Sequence, residues 1–269
     1  ARNSGIVASQ GEWVTFVDAD DRLPDNSIST LLSVALKMSV PIVAGAVSFD
    51  SVQNNGDILL GPVRAYGSTC MLVDVHDEFE ELFTANCVQS ACSKLIKKSM
   101  LVDYRILFDE ALSSFEDFAF VLDCLEVSSC MAVVPSVCYH YLRRSVGTGS
   151  TSYKSDIVTQ MERLSNKVVS FYADVLGHPW SDDCLCHIAQ FFVVAVNNIQ
   201  KSILDWADVR TQMELLVDLP VFSKMLNEAK CYPNAYSRLV CQMALTRRWH
   251  IVAALATLRN SIRSRHVAK

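Results

Sequence analysis

The densest group of chemically capable side chains in this chain is Asp18-Ala19-Asp20-Asp21. It follows Trp13–Val17, a short apolar run that reads as a buried parallel strand. Ligand sites in open α/β sheets lie beyond the carboxyl ends of strands. Adjacent carboxylates repel one another, so such a cluster is costly unless a cation neutralises it. Hard oxygen donors on a short loop suit Mg²⁺ or Mn²⁺, which then bridges to a diphosphate. The same residues also read as a solvated turn that caps the helix opened by Leu23-Pro24-Asp25. On residue types alone, both readings stay open.

Three further groups carry chemistry. Glu116 and Asp117 stand at the start of an expected helix over 115–127, where the helix dipole favours negative charge. His140 lies between Tyr139 and Tyr141, and reads by itself as a packed or surface histidine on a strand. Arg143 and Arg144 follow, and would meet a diphosphate or simply end a strand in solvent. Cys184-Leu185-Cys186-His187 is spaced too tightly for a usual zinc site, and is read as part of a helix.

The elements that must position these groups divide the chain in two. Residues 1–152 alternate in type: a helix end at Ala1–Ser9, strands at Trp13–Val17, Ile42–Phe49 and Ile58–Leu60, a hairpin turn at Asn54–Asp57 and a further strand at Cys70–Val75. Helices are expected from Pro24 to about Met38 and at Glu78–Ala85, with closing strands at Met131–Val134 and Val137–Tyr141. This is α/β organisation. Residues 153–269 read as helices with 3.6-residue apolar spacing: Ser155–Leu176, Asp182–Trp206, Val209–Ala229 and Ala235–Arg265, punctuated by Pro179, Pro220 and Pro233.

At 269 residues and 51% hydrophobic content, the chain is long and apolar enough for a real core, which excludes disorder and a small disulfide scaffold. Most of the ten cysteines sit in apolar segments, which fits a reducing cytoplasm. No apolar run reaches the length of a membrane span. The formal net charge is −5, yet residues 229–269 hold eight basic residues and no acid, leaving −13 on the rest. So acidic a body argues against nucleic acid as partner, while the basic tail suits an anionic membrane surface. Ile251, Leu255, Leu258 and Ile262 form one helical stripe in that tail.

Taken in order, the blocks resemble glycosyltransferase family 2. Ala1-Arg2-Asn3-Ser4-Gly5, Gly11-Glu12-Trp13 and Phe16-Val17-Asp18-Ala19-Asp20-Asp21 are similar to its A-R-N-x-G and F-x-D-x-D-D block. Ser93-Lys94-Leu95-Ile96-Lys97-Lys98 is similar to its K-L-[IY]-[KR]-[KR] segment. Phe108-Asp109-Glu110 with Phe115-Glu116-Asp117 resembles its F-D-E … G-E-D block, and Tyr139–Ser145 its aromatic- and arginine-rich end. The resemblance covers roughly residues 1–152. It implies a partial GT-A, Rossmann-like fold, and does not cover the α-helical region that the apolar spacing gives after it. The implied reaction is metal-dependent transfer of a sugar, with inversion, from a nucleotide-sugar donor to a glycan or lipid-linked acceptor in cell-surface glycan synthesis. By resemblance, Arg2, Asn3, Asp18, Asp20, Arg143 and Arg144 would bind the nucleotide sugar. Asp20 and Asp18, with His140, would hold Mn²⁺ or Mg²⁺. Asp117, supported by Glu116, would take the proton of the acceptor hydroxyl.

Two departures stand out. The family has Gly where this chain has Phe115. The family's opening strands, with P-x-[YF]-N and D-D-G/D-x-S segments, are absent from this sequence, and the expectation is a fragment of a longer protein. Two other readings remain. A haloacid-dehalogenase-type phosphohydrolase also ends a strand in Asp-x-Asp, but would want Gly or Val and then Thr where Asp21-Arg22 stands. A non-catalytic membrane- or protein-binding module derived from a transferase fits the missing nucleotide elements and the basic tail.

Overall fold

The computed structural model describes residues 1–53, 55–143, 153–201 and 205–267, the side chains of 262–267 excepted. The chain divides into two compact units, Ala1–Arg144 and Ser145–Lys269.

The first unit is built on a mixed sheet. Its strands are β1 (Trp13–Val14), β2 (Ile42–Val52), β3 (Ile58–Leu59), β4 (Val63–Arg64), β5 (Met71–Asp74), β6 (Lys94–Lys97) and β7 (Cys130–Arg143). The order is β1-β6-β2-β7-β5, with β3 and β4 paired to β2 as an arm. Only β2 and β7 run parallel among these pairs; β6 is antiparallel to both β1 and β2.

The expected parallel strand Trp13–Val17 is therefore corrected. Trp13 and Val14 pair antiparallel with Lys97 and Ile96, and the parallel pairing shrinks to one bridge, Phe16 to Cys92. The strand that reaches Trp13 and Val14 is β6, which the alternation of residue types did not reveal. The two closing strands are one strand. Register shifts opposite Ala46 accommodate Pro135-Ser136, where proline removes a ladder donor.

Helices α1 (Arg2–Ala8), α2 (Ser27–Met38), α3 (Val75–Thr84), α4 (Lys98–Asp103) and α5 (Glu116–Val127) complete the unit. Helix α2 starts three residues after Pro24, and α3 starts earlier than expected because the Asp74 carboxylate accepts from the His76 amide at 2.8 Å. Leu31, Val34 and Ala35 of α2 pack on Val43, Leu95, Ala132 and Cys138. Gly45 permits the close approach of Cys138 of β7: a Cβ there would lie 2.4 Å from Cys138 Cβ and 3.3 Å from Leu31 Cδ2 of α2. A second apolar group stacks Phe83 on Phe118 and sets Phe16 edge-on to Phe108 and Phe120. This places the chain just before Asp18 against the loop before α5 and against α5 itself.

The second unit is helical: α6 (Ile157–Phe171) running into a π turn at Tyr172–Leu176, α7 (Asp182–Ile199), α8 (Trp206–Asp218), α9 (Pro220–Glu228), α10 (Ala235–Leu245) and α11 (Trp249–Val267). Helix α7 buries eleven of its eighteen residues and packs on the others. The helix expected over 209–229 is broken at Leu219, with Pro220 opening α9. That over 235–265 is broken near Arg247, which has φ 51°. All ten cysteines are free thiols. Among the described residues, no helix is long and apolar enough to cross a membrane.

Candidate active site

The centre of the site is a guanidinium. Arg2, on the first turn of α1, donates through Nη2 to Asp18 Oδ1 at 2.8 Å. Its Nη1 donates to Asp117 Oδ1 and lies 3.4 Å from Glu116 Oε1. The Phe108 ring lies under it at 5.2 Å. One cation thus joins the carboxylate after β1 to the two that open α5. Burial works against the charge of Arg2, but Asp117 and Asp18 outweigh it and hold the group further toward its protonated form.

Asp117 is gripped on its other oxygen. Oδ2 accepts from Ser90 Oγ and from the Ala91 amide, each at 3.0 Å. Phe115, the residue before Glu116-Asp117, caps α5 in the left-handed region at φ 62°, ψ 16°. A β-carbon is disfavoured there and glycine is not. This is the conformation that the family's Gly would take without strain.

The acidic turn divides its own roles. Asp21 is turned inward: Oδ1 accepts from the Leu142 amide at 2.8 Å and Oδ2 from the Tyr139 hydroxyl at 2.7 Å. That hydroxyl in turn accepts from the Asp18 amide at 3.1 Å. Burial pushes the Asp21 carboxyl up, against these two donors. Asp21 therefore ties the turn to β7, leaving Asp18 and the exposed Asp20 at the surface of the site.

Asn3 spends its amide on the backbone of Phe108, donating to its carbonyl at 2.9 Å and accepting from its N–H at 2.8 Å. It holds in place the loop whose ring underlies Arg2. Arg143 lies over the Phe49 ring at 5.1 Å. Arg144 lies outside the described residues.

His140 is not brought to the acidic turn by its side chain. Side chains alternate along a strand, so its ring faces away from that of Tyr139. Its Nδ1 meets Asp50 Oδ2 at 2.7 Å, and Asp50 is fully buried. Asp50 also accepts from Ser48 Oγ and from the Gly61 amide. Burial pushes the Asp50 carboxyl up, but Ser48, Gly61 and His140 outweigh it and hold it below the usual range. His140 instead lines a cleft of about 310 Å³ with Arg22, Leu23 and Leu60.

Among the described residues, no three His, Cys, Asp or Glu side chains converge to hold a metal ion by themselves. The donor set fits a sparser mode. Mg²⁺ is commonly held by one or two carboxylates, with water and substrate phosphates completing its shell. Asp20, with the second oxygen of Asp18, supplies carboxylates of that kind on one turn.

Residue types gave no sign of Ser90, Ala91 or Tyr139. The first two act through a small hydroxyl and the backbone, for which residue type carries no signal. Tyr139 lay within the aromatic end without a role.

Residues 1–61 match the family model "Glycosyl transferase family 2". Succinoglycan biosynthesis protein ExoO of Rhizobium meliloti (strain 1021) is 23% identical over 173 residues, covering 64% of this chain and 49% of ExoO. The chain thus spans about half the length of this curated relative. The structure of S. aureus TarS 1–349 in complex with UDP-GlcNAc superposes with a TM-score of 0.63 at 17% identity, covering 97% of this chain and 71% of that one. A second S. aureus TarS structure gives a TM-score of 0.61 at 16% identity, covering 95% and 42%. At such identities the likeness shows the fold. Residues 1–61, which hold Arg2 and the Asp18–Asp21 turn, thus match the glycosyl transferase family 2 model, and the chain has a GT-A-like fold followed by a helical region.

Proposed function

We propose that the chain belongs to an enzyme that transfers a sugar, with inversion, from a nucleotide-sugar donor to a hydroxyl of a glycan or lipid-linked acceptor in cell-surface glycan synthesis. The observation that carries this is the bridge made by Arg2, which sets the acidic turn and the Glu116-Asp117 pair within one guanidinium's span. Transfer needs charge management at a departing diphosphate and, across the sugar, a carboxylate for the incoming hydroxyl. TarS, whose structure holds UDP-GlcNAc, and ExoO, named for succinoglycan biosynthesis, support the donor class and the polymer setting.

In this reading Asp18 and Asp20 face the donor's diphosphate, and Asp20 with Asp18 would hold Mn²⁺ or Mg²⁺. A cation bound there offsets the charge that builds on the leaving diphosphate. Asp117 takes the proton of the acceptor hydroxyl on its carboxylate, Ser90 and Ala91 fix the plane of that carboxylate, and Glu116 shares Arg2 with it. Arg143 would bind on the donor side. His140, bound to Asp50, is not assigned to the metal.

The test is calorimetric titration with a panel of nucleotide sugars, UDP-GlcNAc first, with Mn²⁺ and with chelator. Saturable binding that weakens with chelator and in Asp20→Ala supports the reading. Binding of no nucleotide sugar by the wild-type protein would overturn it.

The basic tail adds a location: the face of an anionic membrane. The core face of α11 is Trp249, Val252 and Ala256, which leaves Ile251 at 41% and Leu258 at 59% exposed. The apolar stripe of that helix is thus not used up by packing. The side chains of Ile262, Arg263 and Arg265 lie outside the described residues.

A further inference from the structure

Lys94 is an unusual residue for its place. It is 3% exposed, at the start of β6. Lysine is almost never fully buried unless paired, because an ammonium loses its hydration. Among the described residues the Lys94 side chain makes no ion pair and one hydrogen bond, donated by Nζ to the carbonyl of Ser90. Burial pushes its amine down, while Cys87, Cys92 and Asp117 pull the other way.

The residue that it holds is the one that grips Asp117. Ser90 Oγ donates to Asp117 Oδ2 at 3.0 Å and accepts from the Cys92 amide at 3.1 Å, and the Ala91 amide meets the same Oδ2. Residues 90–92 thus wrap one carboxylate oxygen. The far end of this turn is pinned by Ser93, at φ 57°, whose hydroxyl and carbonyl bond Gly45 of β2. Its near end has Lys94, which reaches back four residues to the Ser90 carbonyl. A methionine would fill the same volume without desolvating a charge. The charge is therefore explained by what it holds.

We infer that Lys94 is a positioning residue for the Asp117 carboxylate: it fixes the Ser90–Cys92 turn, and the turn fixes Oδ2, leaving Oδ1 toward Arg2. The catalytic meaning of this rests on the transferase reading, but the positioning itself does not. It is tested without donor or acceptor, so failure of one is distinguishable from failure of the other.

The experiment is amide hydrogen exchange by NMR at Ala91, with Val133 in β7 as a core reference. Lys94→Met is expected to raise exchange at Ala91 about tenfold or more while Val133 keeps its wild-type rate. Lys94→Gln keeps a weaker, uncharged donor and is expected to raise it about threefold. It serves as the readout if the methionine variant does not fold. In an Asp117→Ala background, where the acceptor of the Ala91 amide is gone, Lys94→Met is expected to add little. Exchange at Ala91 unchanged in both Lys94 variants, or effects of the Lys94 and Asp117 changes that simply multiply, would overturn the proposal.

Discussion

Replacing Phe115 by glycine and by alanine isolates the backbone strain at the entrance to α5. Phe115 holds φ 62°, ψ 16° immediately before Glu116 and Asp117. Both substitutions remove the ring, so the packing lost is common to the two and cancels in the comparison. What remains is the conformation. An L-residue with a β-carbon pays about 1–2 kcal/mol to sit in the left-handed region. Glycine escapes that cost but loses about 0.5–1 kcal/mol more conformational entropy on folding. The difference leaves Phe115→Gly more stable than Phe115→Ala by about 0.5–1 kcal/mol. At an ordinary helix position the order is the reverse. Urea denaturation of the two variants side by side reads this difference directly. An alanine variant as stable as the glycine variant, or more so, would refute the strain argument. It would also remove the physical reason for the family's Gly at this position.

Tyr139→Phe removes the hydroxyl that joins the Asp18 amide to Asp21; a loss of about 1–2 kcal/mol in denaturant unfolding is expected, and wild-type stability would count against the anchoring role of Asp21. Asp50 is held below its usual range in the folded state, so its contribution is complete above the unfolded carboxyl value of about 4 and is lost as pH falls through the lower folded value. Asp50→Asn should therefore lower stability at neutral pH by about 1–3 kcal/mol and flatten the acid limb of a stability–pH curve, whereas an unchanged limb would show that the Asp50–His140 pair does not set it. Flotation with anionic and neutral vesicles is expected to show binding that needs anionic lipid, fades with salt and is lost without residues 235–269. A protein left in the soluble fraction throughout would end the membrane reading.

What was legible from residue types followed from features they carry. The acidic turn announced itself because three crowded carboxylates after an apolar strand repel one another until something neutralises or anchors them. The break at Leu219 was missed although Pro220 carried its sign, since proline lacks the N–H that a first helical turn leaves unpaired. The break before α11 was invisible, because arginine at φ 51° gives no sign of the left-handed residue that glycine would have shown. Likewise Pro135 suggested two strands where the structure has one with shifted register. Phe115 was seen as a departure, but its effect lies in a backbone angle that the identity of the residue conceals. The grip on Asp117 was hidden for a similar reason: an Ala91 N–H and a serine hydroxyl look the same in any loop.

The proposed division of labour sets Asp117 on the acceptor and the Asp18–Asp20 turn on the donor. The direct measurement is the donor dissociation constant and the turnover number of Asp117→Asn against wild type, in one buffer with saturating Mn²⁺. Turnover is expected to fall about 10²- to 10⁴-fold, the usual cost of losing a general base, with donor affinity nearly unchanged. Donor affinity that falls while the rate per bound donor stays at its wild-type value would contradict it, and would move Asp117 to the donor side.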